Sequence, residues 1–151
     1  MKYVNFDKLA KEEQELALRA SAAADHSVHP SGHKIGCAIL CDNNRVYLGA
    51  TNARSRAIGS TCAERMAVDQ IYFHGKHKPK LVAMTGVLIR PEWKETTVIS
   101  PCGVCLEMFW EMIMDMGIND LDFICLSWNK ERALKVKFSE LYPRIDQVRR
   151  Q

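Results

Sequence analysis

Two short stretches decide the reading of this chain: Thr61-Cys62-Ala63-Glu64-Arg65 and Ser100-Pro101-Cys102-Gly103-Val104-Cys105. Pro101, then an apolar run, then Gly117 mark a helix over 101–117, because proline is tolerated in a helix's first turn and glycine closes its end. Cys102 and Cys105 stand one turn apart at that helix start, so both sulfurs reach one ion. Cys62 opens a second helix, which runs to about His74 and is stopped by Gly75 and then Pro79. Helix N-termini favour thiolates. Three thiolates at two helix starts make a zinc site with one open coordination position. That is the catalytic arrangement, whereas a structural zinc is closed by a fourth protein ligand. Glu64 follows Cys62 by two residues, which turns its carboxylate away from the sulfur but keeps it beside the metal. It is poorly placed to ligate and well placed to move protons.

Around these stretches the chain alternates helix and strand. A first helix, capped at Asn5 or Asp7, runs to about Ala24, with Leu9, Leu16, Ala20 and Ala23 near one face and Lys11, Glu12, Glu13 and Glu15 toward water. The segments 26–34 and 52–61 read as loops. Ile35–Cys41 reads as a buried strand, Asp42-Asn43-Asn44 as a turn, and Arg45–Ala50 as the second arm of a hairpin. Leu81–Arg90 is a strand, Pro91–Lys94 interrupts it, Thr96–Ile99 is a shorter strand, and Leu121–Trp128 is another, before a helical C-terminus. Helices alternating with strands predict one mixed sheet covered on both faces. The helix from Cys102 is apolar around most of its circumference, so it is expected to be buried on two sides, by the sheet and by a neighbouring subunit.

With 151 residues the chain is read as a single domain, 1–151. Its 47% hydrophobic and 26% charged residues exclude wholesale disorder, collagen and mucin-like stalks. A net charge of +3 is too mild to argue nucleic-acid binding, and the one dense basic cluster is the tail from Arg144 to Arg150. No segment approaches the roughly 20 apolar residues of a membrane span, and the N-terminus has no apolar signal core. The expectation is a cytoplasmic protein with reduced thiols, in which Cys37, Cys41 and Cys125 are core residues of apolar strands.

Cys-x-Glu followed by Pro-Cys-x-x-Cys resembles the signature of zinc-dependent nucleobase deaminases. The chain resembles in particular the small homotetrameric cytidine deaminases, through Cys-Ala-Glu-Arg at 62–65 and Ser-Pro-Cys-Gly-Val-Cys at 100–105. Ile35–Leu40 resembles that family's first strand, and Glu140-Leu141-Tyr142-Pro143 its C-terminal Glu-Leu-Leu-Pro. The resemblance implies a three-layer α/β/α sandwich around a mixed sheet of about five strands. It implies Zn2+ held by Cys62, Cys102 and Cys105, and a homo-oligomer, most simply a tetramer, with sites completed by neighbours. It also implies hydrolytic deamination of a cytosine-like ring. Zinc lowers the pKa of coordinated water from about 15.7 toward 7; Glu64 would carry that first proton to the ring nitrogen and, after hydroxide attack, would protonate the amino group so that ammonia leaves. Arg65 would hydrogen-bond the thiolates and offset their excess negative charge. The backbone N–H of Ala63 would hold the ring carbonyl, and the Ser100 carbonyl would accept from the amino group.

The chain departs from that family after its second strand. Cytidine deaminases carry Gly-x-Asn-x-Glu there, whose Asn and Glu hold the ribose hydroxyl. Here the stretch is Gly49-Ala50-Thr51-Asn52-Ala53-Arg54. Counted back from Cys62 without a gap, Thr51 and Ala53 take the two positions; with a one-residue shift, Asn52 matches and Arg54 replaces the glutamate. In either register the carboxylate is missing, and Arg54 offers a planar fork suited to carboxylate or phosphate. His33 takes the place of the family's ring-stacking Phe. Plain cytidine is therefore expected to be a poor substrate. Two other readings compete: a zinc-bearing oligomeric binding protein without catalysis, which Glu64 argues against, and a deaminase of tRNA or single strands, which usually presents His-Ala-Glu.

Overall fold

The computed structural model describes residues 1–143; the basic tail from Arg144, with the remainder of the segment expected to be a helical C-terminus, falls outside the described residues. Six strands form one sheet in the order β1-β6-β5-β4-β2-β3. They are β1 (Lys2–Asn5), β2 (Lys34–Cys41), β3 (Val46–Ala50), β4 (Pro79–Val87), β5 (Asp122–Leu126) and β6 (Arg132–Lys137). β4 and β5 pair in parallel, and every other pair is antiparallel, so the sheet is mixed. The helices are α1 (Lys11–Ala24), α2 (Ala63–Phe73), α3 (Gly103–Met116) and the single turn α4 (Phe138–Leu141).

Period-two alternation along the strands divides the apolar residues between two cores. Ala38, Leu40, Leu81, Ala83, Ile124 and Leu126 meet Leu16, Ala17 and Ala20 of α1 on one face. Cys37, Ile39, Val82, Met84, Phe123 and Cys125 meet α2 and α3 on the other. The three-layer α/β/α sandwich is thus the observed architecture. Two glycines fix how close the layers come. A Cβ at Gly36 would lie 2.0 Å from the Ala20 carbonyl oxygen of α1, and one at Gly49 would lie 1.9 Å from the Ala63 carbonyl oxygen of α2. Gly49 therefore seats the first turn of α2, and with it the Cys62 cap, directly on the sheet.

The sheet has six strands where about five are expected. β1 and β6 are the additions, and the segment read as a helical C-terminus begins with β6 instead. Thr96–Ile99 is not a strand. Its β-branched run has no ladder to join, because both sides of β4 are already taken by β2 and β5. The first helix starts at Lys11 rather than near Asp7; residues Phe6–Lys8 form a separate 3₁₀ turn, and Glu13 reaches back to accept the Ala10 N–H at 2.9 Å. Around α3, Phe109, Met112, Ile113 and Met116 are buried, while Val104 is 73% and Met114 39% exposed. Among the described residues no helix is long and apolar enough to cross a membrane.

Candidate active site

The site is assembled from two helix starts. Cys62 is the residue before α2 and Cys102 the residue before α3, both in extended backbone conformation, and Cys105 sits in the first turn of α3. The three Sγ atoms lie within 4.8 Å of one another, the only such grouping of candidate metal ligands among the described residues. A tetrahedral zinc with sulfurs at ~2.3 Å would hold them roughly 3.8 Å apart, so the donor set fits this ion with little movement. Among the described residues no fourth side chain joins them: Cys37, Cys41 and Cys125 are buried in the sheet. Burial pushes the Cys125 thiol up to about 12 and the Cys37 thiol well above its ordinary value, as core thiols should be. Cys62 behaves oppositely. A hydrogen bond from the Cys105 thiol, then the charge of Arg65 and a bond from Cys102, outweigh burial and bring it down to about 6.

Glu64 is 5% exposed, in the first turn of α2. Burial is the main reason its carboxyl group is pushed up to about 7, with the Cys62 thiolate adding to the rise and a bond from Cys105 opposing it. A carboxyl group poised near neutrality beside three thiols is suited to accept and release a proton.

Beside the thiols opens a cleft of about 390 Å³, lined by all three cysteines and Arg65, by Thr51, Ala53, Ser60 and Thr61, and by His29, Val104 and Met108. Arg65 is anchored within it: Nε donates to Thr61 Oγ1 at 3.3 Å and the guanidinium donates to the Ser60 carbonyl. It influences Cys62 through charge, while these hydrogen bonds go to oxygen rather than to sulfur.

The 49–54 loop runs along the cleft. Asn52 exchanges backbone hydrogen bonds with Thr61 at 2.9 and 3.0 Å, and its neighbours Thr51 and Ala53 line the cleft while Asn52 and Arg54 do not. Arg54 is exposed, and its own N–H donates to Ser60 Oγ at 2.8 Å. His33 stands back from the lining; its Nδ1 accepts the Ile89 N–H at 2.8 Å. Ser100 is exposed ahead of α3, also outside the lining. Ala63 is fully buried as the first residue of α2, so its N–H has no partner within the helix. Sequence reasoning missed His29, Val104 and Met108. Val104 and Met108 follow from the α3 motif once Cys102 and Cys105 face the cleft. For His29 no local signal exists, since a fold-dependent contact brings it there.

Residues 10–121 match the model of the cytidine and deoxycytidylate deaminase zinc-binding region. The fold is similar to solved structures named as cytidine deaminases. That from Burkholderia pseudomallei shares 21% identity over 89% of this chain and 98% of its own, with a TM-score of 0.70. Those from Mycobacterium tuberculosis and Mycobacterium leprae share 20% and 18% identity over 91% and 90% of this chain and 98% and 100% of their own, with TM-scores of 0.67 and 0.66.

Proposed function

The chain belongs to the cytidine and deoxycytidylate deaminase family of zinc-dependent hydrolytic deaminases, and from that premise we propose that it deaminates a cytosine-like ring for which plain cytidine is a poor form of the substrate. The observation that carries the reading is the convergence of Cys62, Cys102, Cys105 and the buried Glu64 beside one cleft. Cys62, Cys102 and Cys105 would hold the zinc, whose Lewis acidity makes water ionisable near neutral pH. Glu64 would take one proton from the attacking water and give it to the ring nitrogen, then carry the water's second proton from the hydroxyl now on the ring carbon to the exocyclic amine, so that the C–N bond breaks and ammonia leaves with one oxygen gained by the ring carbon. Arg65 offsets the excess negative charge of three thiolates on a divalent ion. The unpaired N–H of Ala63 is suited to hold the ring carbonyl, and the Ser100 carbonyl to accept from the amine.

Substrate selection rests on the wall at 51–53. Thr51 and Ala53 line the cleft, and neither offers the carboxylate that would grip a ribose hydroxyl. A site built to bond a hydroxyl discriminates strongly; without that group the discrimination goes. Asn52, Arg54 and His33 lie just behind or beside this wall and would contact only a substrate that extends past it. The expected result of an ammonia-release panel is low kcat/KM for cytidine and deoxycytidine against free cytosine, cytosine nucleotides and ring-modified analogues. A wide margin in favour of unmodified cytidine would return the protein to plain nucleoside salvage.

The reading includes a homo-oligomer, most simply a tetramer of one deaminase domain per chain. Val104 beside the cleft is 73% exposed, Ile58 on the facing loop 95% and Met114 further along α3 39%, a set of apolar side chains that a second copy would cover. Light scattering at micromolar concentration is expected to give a mass above that of one chain; a monomer would overturn this part. All six cysteines are free thiols, which supports a reducing compartment, the cytoplasm.

A further inference from the structure

His29 is carried into the cleft by a segment tied to its wall. Val28 donates its N–H to the Thr51 carbonyl at 2.9 Å, and Ala53 donates its N–H to the Val28 carbonyl at 2.7 Å. His29 therefore stands next to Thr51 and Ala53, and all three line the cleft. A tight turn holds it there: Gly32 donates to the His29 carbonyl at 3.0 Å, and Gly32 itself has φ +78°, which glycine adopts without strain. The turn brings His29 and His33 face to face, with ring centroids 4.3 Å apart and planes 25° from parallel.

The hydrogen bonds fix which nitrogen of each ring carries the proton. Nδ1 of His29 accepts the Ser31 N–H at 3.1 Å, and Nδ1 of His33 accepts the Ile89 N–H at 2.8 Å. A ring nitrogen that accepts from the backbone has no proton, so in both neutral rings the proton is on Nε2. His29 thus presents a donor. Apart from the three cysteines that would be bound to the divalent ion, no acidic side chain lines the cleft, while Arg65 does. Beside Thr51 and Ala53 the wall therefore offers a donor and one cation to whatever the ring carries there. Charge-assisted hydrogen bonds are roughly twice as strong as neutral ones, so an anionic oxygen gains most from such a wall.

We propose that His29 is a specificity-determining residue, donating from Nε2 to an anionic oxygen on the substrate, so that the preferred substrate is a cytosine-like ring bearing a phosphate or carboxylate group. The proposal rests on the deaminase reading above and names the substrate class of that same site. His33 acts through His29, as the ring against which it is stacked.

Calorimetry on the zinc-loaded Glu64→Ala protein reads binding without turnover. The ligands are cytidine 5′-monophosphate against cytidine, and cytosin-1-ylacetate against 1-methylcytosine; the two pairs distinguish phosphate from carboxylate. At least one anionic ligand is expected to bind roughly tenfold or more tighter than its neutral counterpart, the range of a hydrogen bond to a charged group. Adding His29→Phe, which keeps a flat ring for stacking but has no N–H, is expected to abolish that preference. His29→Ala provides the same reading should the phenyl ring not fit. Equal binding of both members of both pairs, or a preference that survives the loss of His29, overturns the proposal. Ammonia release by the protein with Glu64 intact tests the deaminase reading separately, so the two can fail independently.

Discussion

Glu64→Ala is expected to keep the fold and one zinc per chain and to lose turnover by at least the ~10²–10⁴ that a positioned general acid–base group contributes. The side chain is 5% exposed, and its carboxyl group is held near neutrality mainly by burial. No carboxylate is among the residues lining the cleft, so no second acidic group is placed to take over the proton from Glu64. Metal analysis beside an ammonia assay separates loss of the shuttle from loss of the ion. Near-normal turnover in a zinc-loaded variant would mean that another base operates and that the assignment of Glu64 is wrong.

Cys102→Ala is expected to remove zinc and activity together while leaving the chain folded. Only three sulfurs converge, and taking one leaves two, too few for a stable site at ordinary zinc concentrations. Structural zinc peptides unfold when the metal goes, because its binding contributes about 10–16 kcal/mol to their folding. Here Cys102 is exposed, outside both apolar cores, so the sandwich has its own means of support. Zinc content by elemental analysis and far-ultraviolet circular dichroism decide the matter. Full zinc occupancy in the variant would overturn the ligand set.

What the chain disclosed before folding follows from the range over which each signal acts. The convergence of the three cysteines, and the place of Glu64 beside them, is legible because the spacing is local: one helical turn for Cys102 and Cys105, one helix start for Cys62 and Glu64. The α2, α3, β2 and β3 elements were legible for the same reason, each bounded by its own turn residues. β6 carries the alternation of a strand, with Leu134 and Val136 facing the α3 side and Ala133 the α1 side. Ala, Leu and Lys are strong helix formers, and that composition masked the pattern. β1 is four mostly exposed residues whose partners lie at 132–135, more than a hundred residues away, so no nearby pattern could announce it.

The same distinction runs through the site. The register at 49–54 could not be settled by counting, because a one-residue slip exchanges the two sides of an extended segment. In the fold Asn52 pairs with Thr61, and Thr51 and Ala53 line the cleft. His29 enters the cleft only because Val28 is bonded to the 51–53 wall, a contact across more than twenty residues. Local motifs announce the chemistry of the family; the lining of the cleft at 29 and 51–53 is set by contacts that exist only after the sheet has formed.

The two close layer contacts also govern how the protein can be altered. Replacing glycine by alanine commonly stabilises a fold, since alanine has fewer unfolded conformations to lose. At Gly36 and Gly49 that strategy reverses, because the methyl group would stand on a helix backbone atom that cannot swing aside. Gly103 has nothing within 4 Å of the corresponding position and begins α3 in helical conformation. A designer seeking heat resistance, or a lineage drifting in sequence, therefore has freedom beside the metal ligands of α3 and none beneath α2.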